Sequence, residues 1–283
     1  MKKSFYIIDS FGEKEPFSFR KVYQSALRSG ASKKLALKVA QEIEKKIYPG
    51  IKTSEIFKNV KKLLQKEKPY SALRYNLKRA MRKLGPTGFP FEKFIAEVLK
   101  NNDFKVKINQ YLYGACPVKY EIDFLAQKEK TIYIGECKYH SKGGEKVDLQ
   151  IALSNYARFL DLKKSSIFKK LESKNFQIKA MLVTNAKFTS QAIKYAHCTK
   201  TELLGWRYPK NKGLEYLIES KNLYPITILN SFKGSLKNIF ARARMMLVKD
   251  LLKEDEKSLS KKLNLPEKTI NSLIKEAKIL FKI

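Results

Sequence analysis

From Phe19 to about Leu84 apolar residues recur at helical spacing among lysines, at Val22, Ala26, Leu35, Val39, Ile43, Ile47, Ile56, Val60, Leu63 and Leu64. That period predicts a series of amphipathic helices. Ahead of them, SFYIIDSFGEKEPFSF predicts a small hairpin turned at SFG. GIKTSEIF carries a helix start, with Thr53 or Ser54 as N-cap and Glu55 in the first turn. Two glycines and two prolines in KLGPTGFP, residues 83–90, mark a boundary. Beyond it FPFEKFIAEVLKNND reads as one amphipathic helix, followed by three strand-like runs, FKVKINQYLY, KYEIDFLA and TIYIGECKYH. KVDLQIALSNYARFLDLKK returns to helical spacing, IKAMLVTN is a short buried strand, and TSQAIKYAHC is a helix capped by Thr189 or Ser190. Helix, three strands, helix, strand and helix make an α/β domain with a mixed sheet. The last segment is helical throughout and strongly basic, with Pro266 near the start of its final helix, where a missing N–H costs nothing. The chain thus divides into three segments, 1–85, 86–228 and 229–283.

Composition narrows the functions open to such a chain. The formal net charge is +32, from 59 Lys and Arg against 27 Asp and Glu, and a field of that sign attracts polyanions. Nucleic acid is the first partner expected; a lysine-rich solvated surface is the plainer alternative. Charge does not separate DNA from RNA, because phosphate contacts carry no sequence information. No stretch approaches the roughly 18 apolar residues of a membrane span, and the start lacks the apolar region of a signal peptide. The expectation is a cytoplasmic protein without a membrane partner. Cys116, Cys137 and Cys198 are odd in number and far apart, which argues against a disulfide framework and a zinc site. Two histidines are too few for a two-histidine nuclease or zinc hydrolase constellation, and no GxxxxGK[ST] occurs to suggest a P-loop motor.

The chemistry concentrates in EIDFLAQKEKTIYIGECKYH, residues 121–140, where charges interrupt apolar strands. A buried charge must be paired, bound to metal or useful. With QKEK as a four-residue hairpin loop, Ala126 pairs with Thr131, and Asp123 shares a face with Ile134, Glu136 and Lys138. Asp123 and Glu136 then become diagonal neighbours, about 7 Å apart at Cβ, able to share one Mg²⁺ whose oxygen ligands sit at about 2.1 Å. Such a pair suits phosphodiester hydrolysis, with Lys138 directed at the attacking water or the charge developing on phosphorus. Glu92 on the preceding helix adds an outer carboxylate, and Gln150 on the following helix positions water or the nucleic-acid backbone. ExK recurs at Glu44, Glu172, Glu219 and Glu276, but those copies lie in helical or solvated stretches where a charged face needs no explanation. A structural ion pair is the alternative at Glu136 and Lys138.

Asp123 followed by Glu136-Cys137-Lys138, between a helix bearing Glu92 and one bearing Gln150, resembles the PD-(D/E)xK nuclease fold of Mrr-like restriction endonucleases, as does the downstream MLVTNAKFTSQAIKYA. YEID stands where that family has a glycine-rich approach to the aspartate. The resemblance implies Mg²⁺-dependent cleavage of DNA, with Asp123 and Glu136 as metal ligands. GEKEPFSFRKV, GIKTSEIF and ALRYNLKRAM resemble an ATP-cone, in which Glu15 and Lys21 would help to hold ATP or dATP as an effector; Asp9-Ser10 stands in place of that family's basic doublet. The final segment is similar to paired helix-hairpin-helix or SAM-like modules, although LNLPE lacks the hairpin glycine. Arg242, Arg244, Lys261 and Lys262 there are candidate phosphate contacts, and Tyr111, Tyr113, Trp206 and Tyr208 are candidate stacking aromatics.

The expected protein is therefore a multidomain α/β endonuclease: an α-rich ATP-cone, a mixed-sheet restriction-endonuclease-like core and a small C-terminal helical domain. Cutting both strands with one site per chain implies a homodimer. The rivals are a DNA-repair or junction-resolving nuclease, and an ATP-responsive DNA-binding regulator with an inert core.

Overall fold

The computed structural model describes residues 5–85 and 91–283, so most of the boundary stretch at 83–90 lies outside it. Among the described residues no helix is long and apolar enough to cross a membrane. The protein is a mixed α/β chain. The sequence divides into three segments, but the contacts gather it into two units: Met1–Lys83, Lys142–Gly144 and Tyr224–Ile283 form one, and Leu84–Ser141 with Glu145–Leu223 form the other.

The first unit opens with β1 (Tyr6–Ile8), β2 (Lys14–Pro16), α1 (Phe19–Arg28), α2 (Lys33–Glu44), β3 (Ile51–Lys52), α3 (Thr53–Glu67), α4 (Pro69–Tyr75) and α5 (Leu77–Met81). β1 and β2 make the hairpin expected at SFG. Asp9 closes it by accepting from the N–H groups of Phe11 and Glu13 at 2.8 and 3.0 Å, while Gly12, at φ +89°, takes the left-handed position. Val22, Ala26, Val39, Ile43, Ile56, Val60 and Leu64 fill the core between the helices, as the period predicts. α1 and α2 are capped by Ser18 and Ser32. α3 departs from the expectation: neither Thr53 nor Ser54 is its cap. Ile51 and Lys52 pair with β1, so the helix begins directly after the strand, and Lys52 becomes the cap residue without a side-chain bond.

The second unit runs through α6 (Phe91–Lys100), β4 (Lys105–Tyr113), β5 (Lys119–Lys128), β6 (Thr131–Lys138), β7 (Lys146–Val147), α7 (Leu149–Lys163), α8 (Ser166–Glu172), β8 (Gln177–Thr184), β9 (Lys187–Phe188), α9 (Ser190–Thr199), β10 (Glu202–Leu204) and α10 (Leu214–Ser220). Its five-stranded sheet has the order β10-β8-β6-β5-β4. β4, β5 and β6 are antiparallel, while β6, β8 and β10 are parallel. Thr189, one of the two expected caps, starts α9 by accepting from the Ala192 N–H. Ile134, Ile178 and Ala180 meet Phe159, Leu162 and Phe168 of α7 and α8 in one core. Gly135 lies under the Phe124 ring so closely that an added Cβ would stand 2.1 Å from it.

The β5–β6 register corrects the expected loop. Lys128 pairs with Thr131 and Ala126 with Tyr133, not with Thr131. The turn is therefore two residues, Glu129 and Lys130, with Glu129 in the left-handed region at φ 53°. A slip of two keeps every side chain on its face but brings Asp123 level with Glu136, one step beyond the last pair, Phe124 and Gly135.

The chain then returns to the first unit through α11 (Lys237–Arg242), α12 (Glu256–Leu263) and α13 (Glu267–Phe281). Thr227 donates to the carbonyl of Ala80 at 2.9 Å, and Asn76 to that of Ile228 at 3.4 Å. Glu276 of α13 accepts from the N–H groups of Asn230 and Ser231 at 2.5 and 3.0 Å, and α13 also packs on α4. The segment 224–283 thus shares a unit with the N-terminal helices. Removing it would uncover apolar faces of α4 and α5, at about 1.5–3 kcal/mol for each large side chain re-exposed. We expect a chain ending at Leu223 to lose the melting transition of the first unit and keep that of the second; wild-type melting of both would refute the grouping.

Candidate active site

Asp123, in the middle of β5, and Glu136, near the end of β6, meet just past the last β5–β6 pair, and Lys138 closes β6 two residues further on. Asp123 Oδ2 accepts from the Cys137 N–H at 2.7 Å, which ties it to the strand carrying Glu136. Burial, reinforced by the neighbouring Glu136 charge, raises the Asp123 carboxyl to about 7; Glu92 adds to the rise, while the Cys137 N–H and Arg158 oppose it. Two carboxylates this close cannot both ionise freely without a cation. Glu92, in the first turn of α6, adds its negative charge to the field at Asp123. Cys137 is buried and surrounded by these acids, which pushes its thiol well up and leaves it no role as a nucleophile.

Behind Lys138 the backbone is pinned. Thr184 of β8 donates from Oγ1 to the Lys138 carbonyl at 2.6 Å. Asn185 accepts from the His140 N–H and donates to the His140 carbonyl, both at 2.9 Å. His140 Nδ1 stands 3.1 Å from Glu145. The strand that presents Glu136 and Lys138 is thus fixed by side chains of its parallel neighbour.

α7 completes the site. A cavity of about 280 Å³ is lined by Glu136, Lys138, Gln150, Ile151, Ser154, Asn155 and Arg158. Gln150 is there as expected. Arg158 was not foreseen, although its guanidinium donates to Glu136 Oε2 at 2.5 Å. The signal was present: Gln150, Ser154 and Arg158 are spaced by four, which puts them on one stripe of a helix, within an otherwise largely apolar run. Asp148 fixes the start of that helix by accepting from the Ile151 N–H at 3.1 Å.

The donor set suits a hard divalent cation in one respect: two coupled carboxylates offer oxygen ligands whose repulsion the ion would relieve. Among the described residues no three or more His, Cys, Asp or Glu side chains are arranged so that they could hold a metal ion together. Mg²⁺ at Asp123 and Glu136 would accordingly keep several of its waters, as that ion commonly does.

The first unit holds a larger cavity, about 730 Å³, whose walls include Glu15, Lys21, Lys52, Thr53, Ser54, Lys78, Arg79 and Arg82. Glu15 and Lys21 pair at 2.9 Å. Asp9 and Ser10 also line it, and α5 and the turn after it contribute the cations Lys78, Arg79 and Arg82. Arg79 lies over the Phe57 ring at 3.4 Å, and Phe57 stacks on Tyr75 at 4.9 Å.

Other candidates divide. Tyr111 and Tyr113 are exposed, but Trp206 is 1% exposed and cannot stack on a base. Tyr208 is engaged with His197 at 2.9 Å. Lys262 pairs with Glu254; Arg242 and Arg244 lie at the end of α11, the latter at φ 57°.

A mixed five-stranded sheet presenting an acid pair and a lysine beside a polar helix stripe defines an α/β protein with a charged cleft between β6 and α7. Residues 224–281 match the family described as AF1548-like, C-terminal. An uncharacterized protein of Archaeoglobus fulgidus is 36% identical over 184 residues, 65% of this chain and 98% of that protein. The crystal structure of AF1548, described as a protein of unknown function, is 33% identical, covering 68% of this chain and 97% of that one, with a TM-score of 0.56. The chain belongs to the AF1548-like family.

The Asp123 carboxyl generates a pH prediction. An unfolded aspartate ionises near pH 3.9, whereas the folded one holds its proton to about 7. Between these values the folded state binds more protons, so stability falls as pH rises. In metal-free buffer the melting temperature of Asp123→Asn should exceed that of wild type by a margin that widens from pH 4 to pH 8. A margin independent of pH would show that Asp123 does not carry this charge.

Proposed function

We propose that this protein is a Mg²⁺-dependent DNA endonuclease of the PD-(D/E)xK type, acting in restriction of foreign or modified DNA and regulated by a nucleotide. In this reading the second unit is the restriction-endonuclease-like core, and the N-terminal part of the first unit is an ATP-cone. The supporting observation is the coupling of Asp123 to Glu136 on neighbouring strands, with Lys138 one strand step further and no apolar packing to explain either acid. Asp123 and Glu136 hold the metal, which when bound polarises a phosphoryl oxygen and lowers the pKa of its water. Lys138, exposed at the end of β6, supplies positive charge beside the attacked phosphorus. Gln150 orients the backbone or the water, and Glu92 reinforces the negative field that selects a cation. Double-strand cleavage then requires two copies of the chain.

The cavity of the first unit supports the regulatory part. Its size, its cations and the first turn of α3 suit a nucleoside triphosphate, ATP or dATP, because anions are favoured at a helix N-terminus beside Arg and Lys. Glu15 and Lys21 lie in its wall, and Arg79 and Lys52 supply charge in place of the absent doublet.

Cleavage of supercoiled plasmid, unmodified and cytosine-modified, tests the reading with wild type and Glu136→Ala, with Mg²⁺ or EDTA, and with or without ATP. Nicking or linearisation that needs both Mg²⁺ and Glu136, reduced at least 100-fold in the variant, is the expected result. Equal DNA binding by both proteins with no cleavage of any substrate would replace the enzyme by a binding regulator. ATP should raise the melting temperature of wild type, and Lys21→Ala with Arg79→Ala should abolish that shift; an unchanged shift would remove the nucleotide from this cavity.

A further inference from the structure

The α7 side of the cleft has a feature that metal binding does not explain. Asn155 is 6% exposed, lines the cavity beside Glu136 and Lys138, and has no hydrogen-bond partner for its Nδ2 among the described residues. A buried amide donor left empty is costly, and it points to an acceptor that arrives from outside. Its Oδ1 is occupied by Arg158 at 3.4 Å. One nitrogen of Arg158, Nη2, thus donates both to Glu136 at 2.5 Å and to Asn155 at 3.4 Å.

All the protein's donors here face a single space. The Asn155 amide, the Arg158 guanidinium, Gln150 and Ser154 come from α7, and Lys138 comes from the sheet. Three of them are neutral donors and two are permanent cations, around a cavity whose one acid, Glu136, is already matched by Arg158. Such a set suits a tetrahedral oxyanion: guanidinium groups bind phosphate through paired N–H donors.

We propose that this cavity is a phosphate seat for a nucleic-acid strand, with Arg158 as its charged anchor, and that Glu136 holds Arg158 in reserve until a phosphate arrives. The inference rests on the nuclease reading for its substrate but not for its test, which needs no cleavage. In the free protein the Arg158 charge compensates the carboxylate pair. An arriving phosphate competes with Glu136 for the Arg158 guanidinium and is joined by the Asn155 amide, with no cation needed; a cation on the carboxylates would only ease that transfer. Arg158 thereby becomes a positioning residue for the strand.

The test is binding of a fluorescein-labelled DNA duplex by anisotropy in EDTA, across a salt series. Arg158→Met should weaken binding about tenfold, as expected for a charge-assisted bond, and reduce the log–log salt slope by about one. Asn155→Ala should weaken it less and leave the slope unchanged. Glu136→Gln should strengthen binding, because Arg158 loses its competitor, and adding Arg158→Met to Glu136→Gln should cancel that gain, leaving the double variant weaker than Glu136→Gln alone. The double variant also guards against misfolding, since it leaves no unpaired Glu136 charge. Wild-type affinity and slope in both Arg158 variants, or no DNA binding by the wild type, overturns the seat. The predicted shifts in a protein that cuts nothing would uphold the seat and refute the nuclease.

Discussion

Two carboxylates that share one end of an apolar sheet must be compensated by positive charge, and the second unit is built around that requirement. Asp123 meets part of it by accepting from the Cys137 N–H and by retaining its proton to about pH 7. Glu136 meets the rest through Arg158. Neither arrangement is free of cost, since desolvation of a charge exceeds what a single partner returns unless further hydrogen bonds assist. A sheet selected only for stability would carry apolar residues at these positions. Their retention in mutual reach is the physical argument for a site.

The same constraint explains the scaffold around the acids. Gly135 lets the Phe124 ring lie flat against β6, which packs one face tightly while the neighbouring residues carry charge. Thr184 and Asn185 pin the backbone on either side of Tyr139, so that Glu136 and Lys138 are presented from a strand held along its β8 edge. Side chains placed on rigid elements lose little freedom when they engage a ligand, a condition for positioning reacting groups.

Much of this was legible along the chain because strands have a period of two. The hairpin between β5 and β6 is two residues shorter than QKEK suggested, yet an even slip leaves Asp123, Glu136 and Lys138 with the same relation to the sheet face; an odd one would have lost it. Helix starts at Ser18, Ser32 and Thr189 follow local hydrogen-bond chemistry. The start of α3 does not, because Lys52 is drawn into strand pairing with β1, a contact between residues far apart in sequence. The joining of 224–283 to the N-terminal helices is equally non-local: Thr227 and Ala80 are linked across 147 residues, and no pattern within either segment announces it. Arg158 was hidden differently. Its four-residue spacing from Gln150 and Ser154 was visible, but a polar stripe on a helix ordinarily faces solvent, and only the sheet opposite gives it a partner.

An internal arginine on a carboxylate proposed to hold a metal also bears on selectivity. A cation entering the pair must displace a guanidinium already bonded at 2.5 Å, so weakly binding ions gain little by it. Displacement becomes favourable when the freed guanidinium has another anion to meet, and a phosphate in the adjoining cavity is such an anion. Metal and phosphate would then favour one another through Arg158, each making room for or receiving what the other releases, with the coupling reciprocal as equilibrium linkage requires. Assembly of the charged site only around a phosphate would leave the carboxylates compensated by Arg158 in its absence, so that a polyanion attracted by the net charge of +32 would meet a complete site only where its phosphate enters the cavity.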